Sequence, residues 1–207
     1  MLRILLFSLF LVTAPAFGQA EPILVIGDSI SAGYGIEVGA GWVDVLQRKL
    51  EQEGYGRRVI NASISGDTSA GGVARIGKAL KSHAPGIVII ELGANDGLRG
   101  LLPRQLKANL KTMIDQSKAA GAKVLLLGMR IPPNYGKRYT EMFYDVYRQV
   151  ADEEGVAYVP FLLENVALQK SLMQQDGLHP NEKAQPLIAE AVWSRLAPVL
   201  GALPNPP

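Results

Sequence analysis

The feature that most constrains the fold is a regular alternation of short apolar runs with longer amphipathic segments along the 207-residue chain. The longer runs are apolar on both faces and rich in β-branched residues, as is typical of strands in a parallel sheet covered by helices on both sides. The predicted strands are residues 23–27, 58–61, 87–92, 123–128 and 157–159, and helix-like stretches lie at about 42–53, 71–83, 103–120, 138–154 and 182–197. The pattern therefore predicts an α/β domain with a five-stranded parallel sheet.

The first twenty residues have the features of a secretory signal peptide. Arg3 gives a basic start, residues 4–12 are apolar apart from one serine, and small residues precede candidate cleavage points after Ala16 and Ala20. The apolar segment is shorter than the roughly 20 residues that span a bilayer, so cleavage is favoured over a retained anchor. We therefore predict a signal peptide at 1–20, one domain at 21–200, and a flexible tail at 201–207 that does not continue a helix. The protein is predicted to be periplasmic or secreted, without stable membrane insertion.

The composition of the chain excludes several classes of function. The chain has 21 basic and 19 acidic residues, and the basic residues are scattered, so nucleic acid is not an expected partner. There is no cysteine, which excludes disulfides, thiolate metal sites, a lipid-modified N-terminal cysteine and a cysteine nucleophile. The expected partner is a small-molecule substrate, and the expected oligomeric state is a monomer.

Polar segments follow several of the predicted strands. Ser29 comes after the first strand, residues 65–68 follow the second, residues 93–96 follow the third, and Asp176 and His179 precede the last helix. In open parallel sheets, ligands bind beyond the carboxyl ends of the strands. We therefore expect these segments to meet at that edge of the sheet.

The residues at this edge predict a site for acyl transfer. Ser29 is the candidate nucleophile, His179 the candidate general base, and Asp176 the carboxylate that orients the imidazole. The candidate oxyanion donors are the backbone N–H of Ser29 together with Gly66 and Asn95. Each residue also has an ordinary structural interpretation as a turn or helix-cap residue, and it is their combination on one edge that favours catalysis.

Two other residues compete for these roles. His83, the second of only two histidines, lies at the predicted end of a helix, so we expect it to be exposed and far from the strand tips. Asp28 adjoins Ser29 in sequence, and we expect its side chain to point away from the triad acid's position and to stabilise the loop.

The polar segments, in this order, resemble the SGNH or GDSL-type hydrolases, a family named for Ser, Gly, Asn and His in four sequence blocks. The matching residues here are Ser29, Gly66, Asn95 and His179, with Asp176 completing the triad. Residues 61–68, 91–100 and 132–136 are similar in particular to the periplasmic acyl-CoA thioesterase I, protease I and lysophospholipase group, also described as arylesterases. One departure is Ala94, where members often have a second glycine.

This resemblance implies a three-layer, flavodoxin-like fold, no metal and no cofactor. It also implies hydrolysis of esters and thioesters with a broad range of acyl groups. Because acyl-CoA is cytosolic, lysophospholipids and short exogenous esters are the expected substrates of an exported member.

The residues that bind the acyl group are less clearly marked. Leu98, Leu101, Ile131 and Tyr135 lie on or near loops that should border the site, and we interpret them as substrate-binding residues. Residues 97–102 are predicted to form a mobile flap over the acyl chain.

Other functions stay open at this stage. A carbohydrate deacetylase of the same family would be expected to have more exposed aromatic residues than Trp42 and Trp193, both of which lie in predicted helices. A nucleotide-binding module fits poorly, because the glycines of residues 33–39 are spaced wrongly for a dinucleotide loop. A non-catalytic lipid-binding protein on this fold would not require the complete serine, histidine and aspartate set.

Overall fold

The computed structural model describes residues 20–201. The predicted signal peptide, apart from Ala20, and the predicted tail after Gly201 lie outside the described residues. The strands are β1 (Ile23–Gly27), β2 (Val59–Asn61), β3 (Ile87–Glu91), β4 (Lys123–Leu127) and β5 (Ala157–Val159). The α-helices are α1 (Ser29–Ala32), α2 (Trp42–Gln52), α3 (Ser69–His83), α4 (Ala94–Leu98), α5 (Pro103–Ala119), α6 (Lys137–Glu154) and α7 (Gln185–Gly201). Short 3-10 helices lie at Pro133–Tyr135, Lys170–Leu172 and Glu182–Ala184.

The five strands form one parallel sheet in the order β2-β1-β3-β4-β5. Strands β1 and β3 are buried along their whole length, which explains why their sequences are apolar without alternation. From β1 the chain adds β2 on one side, and it then crosses to the other side of β1 to add β3, β4 and β5. The point where the strand order reverses, at which open parallel sheets bind ligands, therefore lies between β1 and β3. The predicted α/β fold with a flavodoxin-like strand order is confirmed.

Helices cover both faces of this sheet. Helices α3, α5 and α6 pack in series, and α2 packs against α7. Helix α2 leads from β1 to β2 on one side, whereas α3, α5 and α6 lead towards the opposite edge of the sheet. Because such connections are right-handed, α2 lies on the face opposite to α3, α5 and α6. The largest fully buried side chains are Trp42 from α2 and Phe143 and Tyr147 from α6.

The observed boundaries differ from the predicted ones at the ends of elements. Strands β2, β3 and β4 are each one residue shorter than predicted. Helix α3 begins two residues earlier than predicted, at Ser69, because the Thr68 side chain accepts a hydrogen bond from Gly71 N–H and caps it. The short helices α1 and α4 were not predicted, since four or five residues show no hydrophobic period.

The prediction that a non-helical tail begins at residue 201 was wrong by one residue. Helix α7 continues through Pro198 to Gly201. Pro198 has no N–H to donate to a carbonyl of the preceding turn, so α7 loses one hydrogen bond there, and the buried Leu196 and Leu200 hold the end of the helix against the core.

Candidate active site

Ser29 lies where β1 leaves the sheet. Asp28 precedes α1 as its N-cap, and its Oδ1 accepts a hydrogen bond from Ile30 N–H at 3.1 Å. Close packing explains the glycine at position 27, because a Cβ atom there would lie 2.8 Å from Glu91 Oε2. The turn therefore presents Ser29 as the first residue of a short helix at the carboxyl edge.

Ser29, His179 and Asp176 form a continuous chain of hydrogen bonds. His179 Nε2 is 2.9 Å from Ser29 Oγ, and His179 Nδ1 is 2.6 Å from Asp176 Oδ2. Asp176 Oδ1 also accepts hydrogen bonds from the backbone N–H groups of Leu178 and His179. The hydrogen bonds from the His179 N–H and ring lower the pKa of Asp176 to about 2, so this carboxylate is ionised at neutral pH.

Two residues that the sequence did not single out hold the His179 segment. The Tyr34 ring lies 4.6 Å from the His179 ring, centroid to centroid, at a tilt of 41°. Gln174 donates its backbone N–H to the His179 carbonyl at 2.8 Å, and its side-chain amide donates to the carbonyls of Tyr34 and Pro180. No local motif marks Gln174, because its partner Tyr34 is 140 positions away.

Asn95 and Asp28 are joined by a side-chain hydrogen bond. Asn95 lies in α4 directly after β3, and its Nδ2 donates to Asp28 Oδ2 at 3.1 Å. One hydrogen of the amide group is thereby used, and the second is left for another acceptor. Asp28 has the structural role that was predicted for it, and it orients the amide of a predicted oxyanion donor.

Gly66 has a backbone conformation that favours glycine. Its φ is +80°, in the left-handed region where a side chain adds strain. Arg99 donates to the Gly66 carbonyl at 2.8 Å. Within residues 20–201, no hydrogen bond uses the backbone N–H of Gly66 or Ser29 as its donor. Both predicted N–H donors are thus available to a substrate oxygen.

Arg75 of α3 holds the loop that contains Gly66 against the turn before Ser29. Its Nε donates to Asp67 Oδ2 at 2.7 Å, and its Nη2 donates to the Gly27 carbonyl at 3.0 Å. Its Nη1 donates to the carbonyl of Ala62. No local sequence signal marks this role, because the contact between Arg75 and Gly27 spans 48 positions.

An apolar cavity lies next to the loop between Asp176 and His179. Its volume is about 490 Å³, and its wall includes Ile131, Leu163, Ala167 and Leu178. Gly177 and Leu178, which separate Asp176 from His179, form the part of the wall nearest to these residues in sequence. A cavity of this size and character can hold an alkyl chain.

The four predicted substrate-binding residues have different surroundings. Ile131 lines the cavity, although it is largely buried. Tyr135 is more than one-third exposed, and its hydroxyl donates to the Leu98 carbonyl at 2.8 Å. The Leu101 carbonyl accepts from the hydroxyl of Tyr139 at 2.7 Å. The segment 97–102 is therefore tied to the neighbouring segment by tyrosine hydroxyls.

Gly97 has a packing role within that segment. It is buried in α4, and a Cβ atom there would lie 2.4 Å from Ile131 Cγ2 and 2.9 Å from Phe143 Cζ. The motion of the segment stays a prediction, and the structure gives close packing as the reason for this glycine.

His83 is exposed at the end of α3, at the opposite end of that helix from the loop with Gly66. Within the described residues, no three His, Asp or Glu side chains are grouped to hold a metal ion. No helix in residues 20–201 has the length and apolar character needed to cross a membrane.

A serine, an imidazole and a carboxylate linked in this order, at the carboxyl edge of a parallel sheet, have the arrangement typical of serine hydrolases. A model of the GDSL-like lipase/acylhydrolase family matches residues 25–186. The chain belongs to this family, which confirms the resemblance seen in its sequence.

Individual relatives cover almost the whole chain. Esterase TesA of Pseudomonas aeruginosa is 53% identical over 201 residues, which cover 96% of this chain and 100% of that protein. Thioesterase 1/protease 1/lysophospholipase L1 of Escherichia coli K12 is 45% identical over 181 residues, 87% of this chain and 86% of that protein. The crystal structure of the psychrotrophic esterase EstA from Pseudoalteromonas sp., inhibited by monoethylphosphonate, has a TM-score of 0.83 at 41% identity and covers 87% of this chain and 99% of that one.

Proposed function

We propose that this protein is a serine hydrolase that cleaves carboxylic esters and thioesters through an acyl-enzyme on Ser29. The observation that carries the proposal is the chain of hydrogen bonds from Ser29 Oγ through the His179 ring to Asp176, with distances of 2.9 and 2.6 Å. Both distances are within the hydrogen-bond reach that proton transfer requires, and they are already so without a bound substrate. The relatives named as esterase, thioesterase and lysophospholipase support esters and thioesters as the substrate class.

In the acylation half of the reaction, Ser29 Oγ attacks the carbonyl carbon while His179 Nε2 accepts the hydroxyl proton. Asp176 holds the proton on Nδ1 and stabilises the imidazolium that forms. The tetrahedral intermediate then breaks its bond to the alcohol or thiol, which leaves with the proton from His179. The acyl group remains bound to Ser29 as an ester.

In the deacylation half, His179 takes a proton from water, and the hydroxide oxygen attacks the acyl carbon. The second tetrahedral intermediate expels Ser29 Oγ, which recovers its proton from His179, and the carboxylic acid is released. The N–H groups of Ser29 and Gly66 and the free N–H of Asn95 Nδ2 stabilise the negative oxygen in both intermediates. Donors of this kind each contribute about 10²- to 10³-fold to turnover.

The cavity lined by Ile131, Leu163 and Leu178 is proposed to hold the acyl chain. Burial of methylene groups there stabilises the complex by about 0.8 kcal/mol each, which favours esters with long acyl groups until the cavity is full. With residues 1–20 as a cleaved signal peptide, the enzyme acts outside the cytoplasm on lysophospholipids and short esters.

The first test is hydrolysis of p-nitrophenyl esters of increasing acyl length by the processed protein, beside Ser29→Ala. We expect the substitution to lower kcat by about 10⁴-fold or more, because the covalent route is lost. Ser82→Ala is the matched control, since Ser82 is exposed at the far end of α3. Equal turnover by wild type and Ser29→Ala would reject the serine mechanism. A folded wild type without turnover on any ester would instead favour a deacetylase of a bulkier substrate or a lipid-binding protein.

A further inference from the structure

Glu91 is a buried carboxyl group next to the nucleophile that the proposed mechanism does not use. It is the last residue of β3, is fully buried, and pairs in the sheet register with Gly27 of β1. Its Oε2 accepts a hydrogen bond from Asp28 N–H at 3.2 Å and one from Ser31 Oγ at 2.6 Å. One carboxyl oxygen therefore binds the residues before and after the turn of Ser29.

The other carboxyl oxygen of Glu91 is buried without a partner among the described residues. Oε1 has no hydrogen-bond partner within residues 20–201, and no ion pair of the described residues includes Glu91. A buried carboxylate with an unpaired oxygen is strongly disfavoured. Burial and the nearby Asp28 raise the pKa of Glu91 well above its usual value, which favours its uncharged form relative to that of an exposed glutamate.

We propose that Glu91 is a positioning residue that fixes Ser29 and Asn95 for the reaction through its hydrogen bonds to Asp28 and Ser31. The bond to Asp28 N–H sets the orientation of the peptide between Gly27 and Asp28, one residue before Ser29. The Asp28 side chain in turn holds Asn95, so a shift of the Asp28 backbone moves an oxyanion donor together with the nucleophile. This inference rests on the proposed function of the same site.

Glycine at position 27 makes the contact possible and supports the same conclusion. A Cβ atom there would lie within 3 Å of both Ser31 Oγ and Glu91 Oε2. The turn is thus built around the carboxyl group. A displacement of about 1 Å in a reacting group can lower turnover by about 10²-fold, which is the effect that this contact prevents.

Two substitutions separate the position of the carboxyl group from its chemistry. Glu91→Gln has the same reach, is neutral, and keeps one oxygen to accept both hydrogen bonds. Glu91→Asp keeps the carboxyl group but withdraws it by one methylene from Asp28 N–H. With p-nitrophenyl esters, we expect Glu91→Gln to retain kcat within about threefold and Glu91→Asp to lose about 10- to 100-fold in kcat at unchanged KM.

The control is Ile89→Ala, at a fully buried position two residues earlier on the same strand and face. This substitution weakens the packing of β3 without touching the turn, so the folded variant should have the kcat of wild type. Circular dichroism and thermal unfolding show whether the variant is folded. Wild-type kcat in Glu91→Asp, or an equal loss in Glu91→Gln, would overturn the inference.

If Glu91→Asp does not fold, Ser31→Ala takes its place, because it removes the 2.6 Å donor that holds the carboxyl group. A fall in kcat of about threefold or more with unchanged KM then supports the inference, and wild-type kcat rejects it. Activity of wild type that is lost in Ser29→Ala establishes the proposed function separately. The inference about Glu91 can therefore fail while the proposed function stands.

Discussion

Asp28 combines full burial with a charge that the site needs. Its carboxylate accepts hydrogen bonds from Ile30 N–H and Asn95 Nδ2, and both interactions favour the ionised form. Burial has the larger effect and raises the pKa of Asp28 to about 6. The ionised carboxylate orients Asn95 at neutral pH, and the protein loses stability by holding that charge away from water.

The sign of this effect gives a prediction for Asp28→Asn. The folded-state pKa of about 6 lies above the usual 3.8, so the contribution of Asp28 to the free energy of unfolding is complete below pH 3.8 and is lost as the pH rises through 6. The wild type should lose stability between about pH 4.5 and pH 8 through this group, and Asp28→Asn should not. The free energy of unfolding of the variant minus that of the wild type should therefore be higher at about pH 8 than at about pH 4.5, by on the order of 1–3 kcal/mol. Urea unfolding at the two pH values measures this difference.

The same substitution should reduce turnover. An asparagine at position 28 cannot accept from both Ile30 and Asn95 as the carboxylate does, and we expect kcat to fall by about tenfold or more. Asp115→Asn, on the exposed face of α5, is the control and should change neither kcat nor the pH dependence of stability. A stability difference of the opposite sign would show that the Asp28 charge stabilises the fold.

At the scale of elements, the loop between β2 and α3 depends on one side chain from α3. Arg75 contacts Asp67, Gly27 and Ala62, and it is about four-fifths buried. This loop carries Gly66, so Arg75 links the position of one proposed oxyanion donor to the strand that precedes Ser29.

Arg75→Lys tests this link. A lysine ammonium cannot reproduce the three contacts of the planar guanidinium, so we expect kcat to fall by about tenfold and the free energy of unfolding to fall by about 1–3 kcal/mol. Lys78→Arg, an exposed position one turn further along α3, is the control for a change of basic residue. Unchanged kcat in a destabilised Arg75→Lys protein would restrict Arg75 to a role in folding.

The elements also show how far the sequence determines this structure. Strands β1 and β5 have the predicted bounds: β1 is an apolar run between Pro22 and Asp28, and β5 lies between Gly155, which ends α6, and Pro160. The roles of Glu91, Arg75 and Gln174 could not be predicted, since each depends on which residue lies opposite in the sheet or across the loops. Glu91 meets Gly27 only because β1 and β3 are neighbours, and this adjacency is a property of the folded topology.

At the scale of the whole molecule, the parallel sheet gives the protein two different ends. The carboxyl ends of the strands carry Ser29, Asn95 and the apolar cavity. The amino ends of β4 and β5 border a groove of similar volume, about 530 Å³, lined by Lys118, Lys123 and Arg195 along with apolar residues. Because every strand points the same way, residues that follow strands meet at one end only. The segments proposed to carry catalysis could therefore be placed together from their order in the chain.

The two ends allow a matched test of where the acyl chain binds. Ala167 lines the cavity at the carboxyl end, and Val199 of α7 lines the groove at the amino end. Ala167→Phe should fill the cavity and lower kcat/KM for long-chain p-nitrophenyl esters about tenfold or more relative to short ones, because several methylene groups lose their burial. Val199→Phe adds similar bulk at the other end and should leave the chain-length profile unchanged.

The profile of kcat/KM against acyl length distinguishes steric exclusion from a general loss of activity. If the chain binds in the cavity, Ala167→Phe moves the optimum to shorter esters while hydrolysis of the acetate is retained, because Ser29 and His179 are not displaced. An equal fall for every ester would mean that the substitution disturbs the neighbouring segment that carries Asp176. An unchanged profile would place the acyl chain elsewhere along the carboxyl edge, with the loop that carries the exposed Leu101 as one candidate surface.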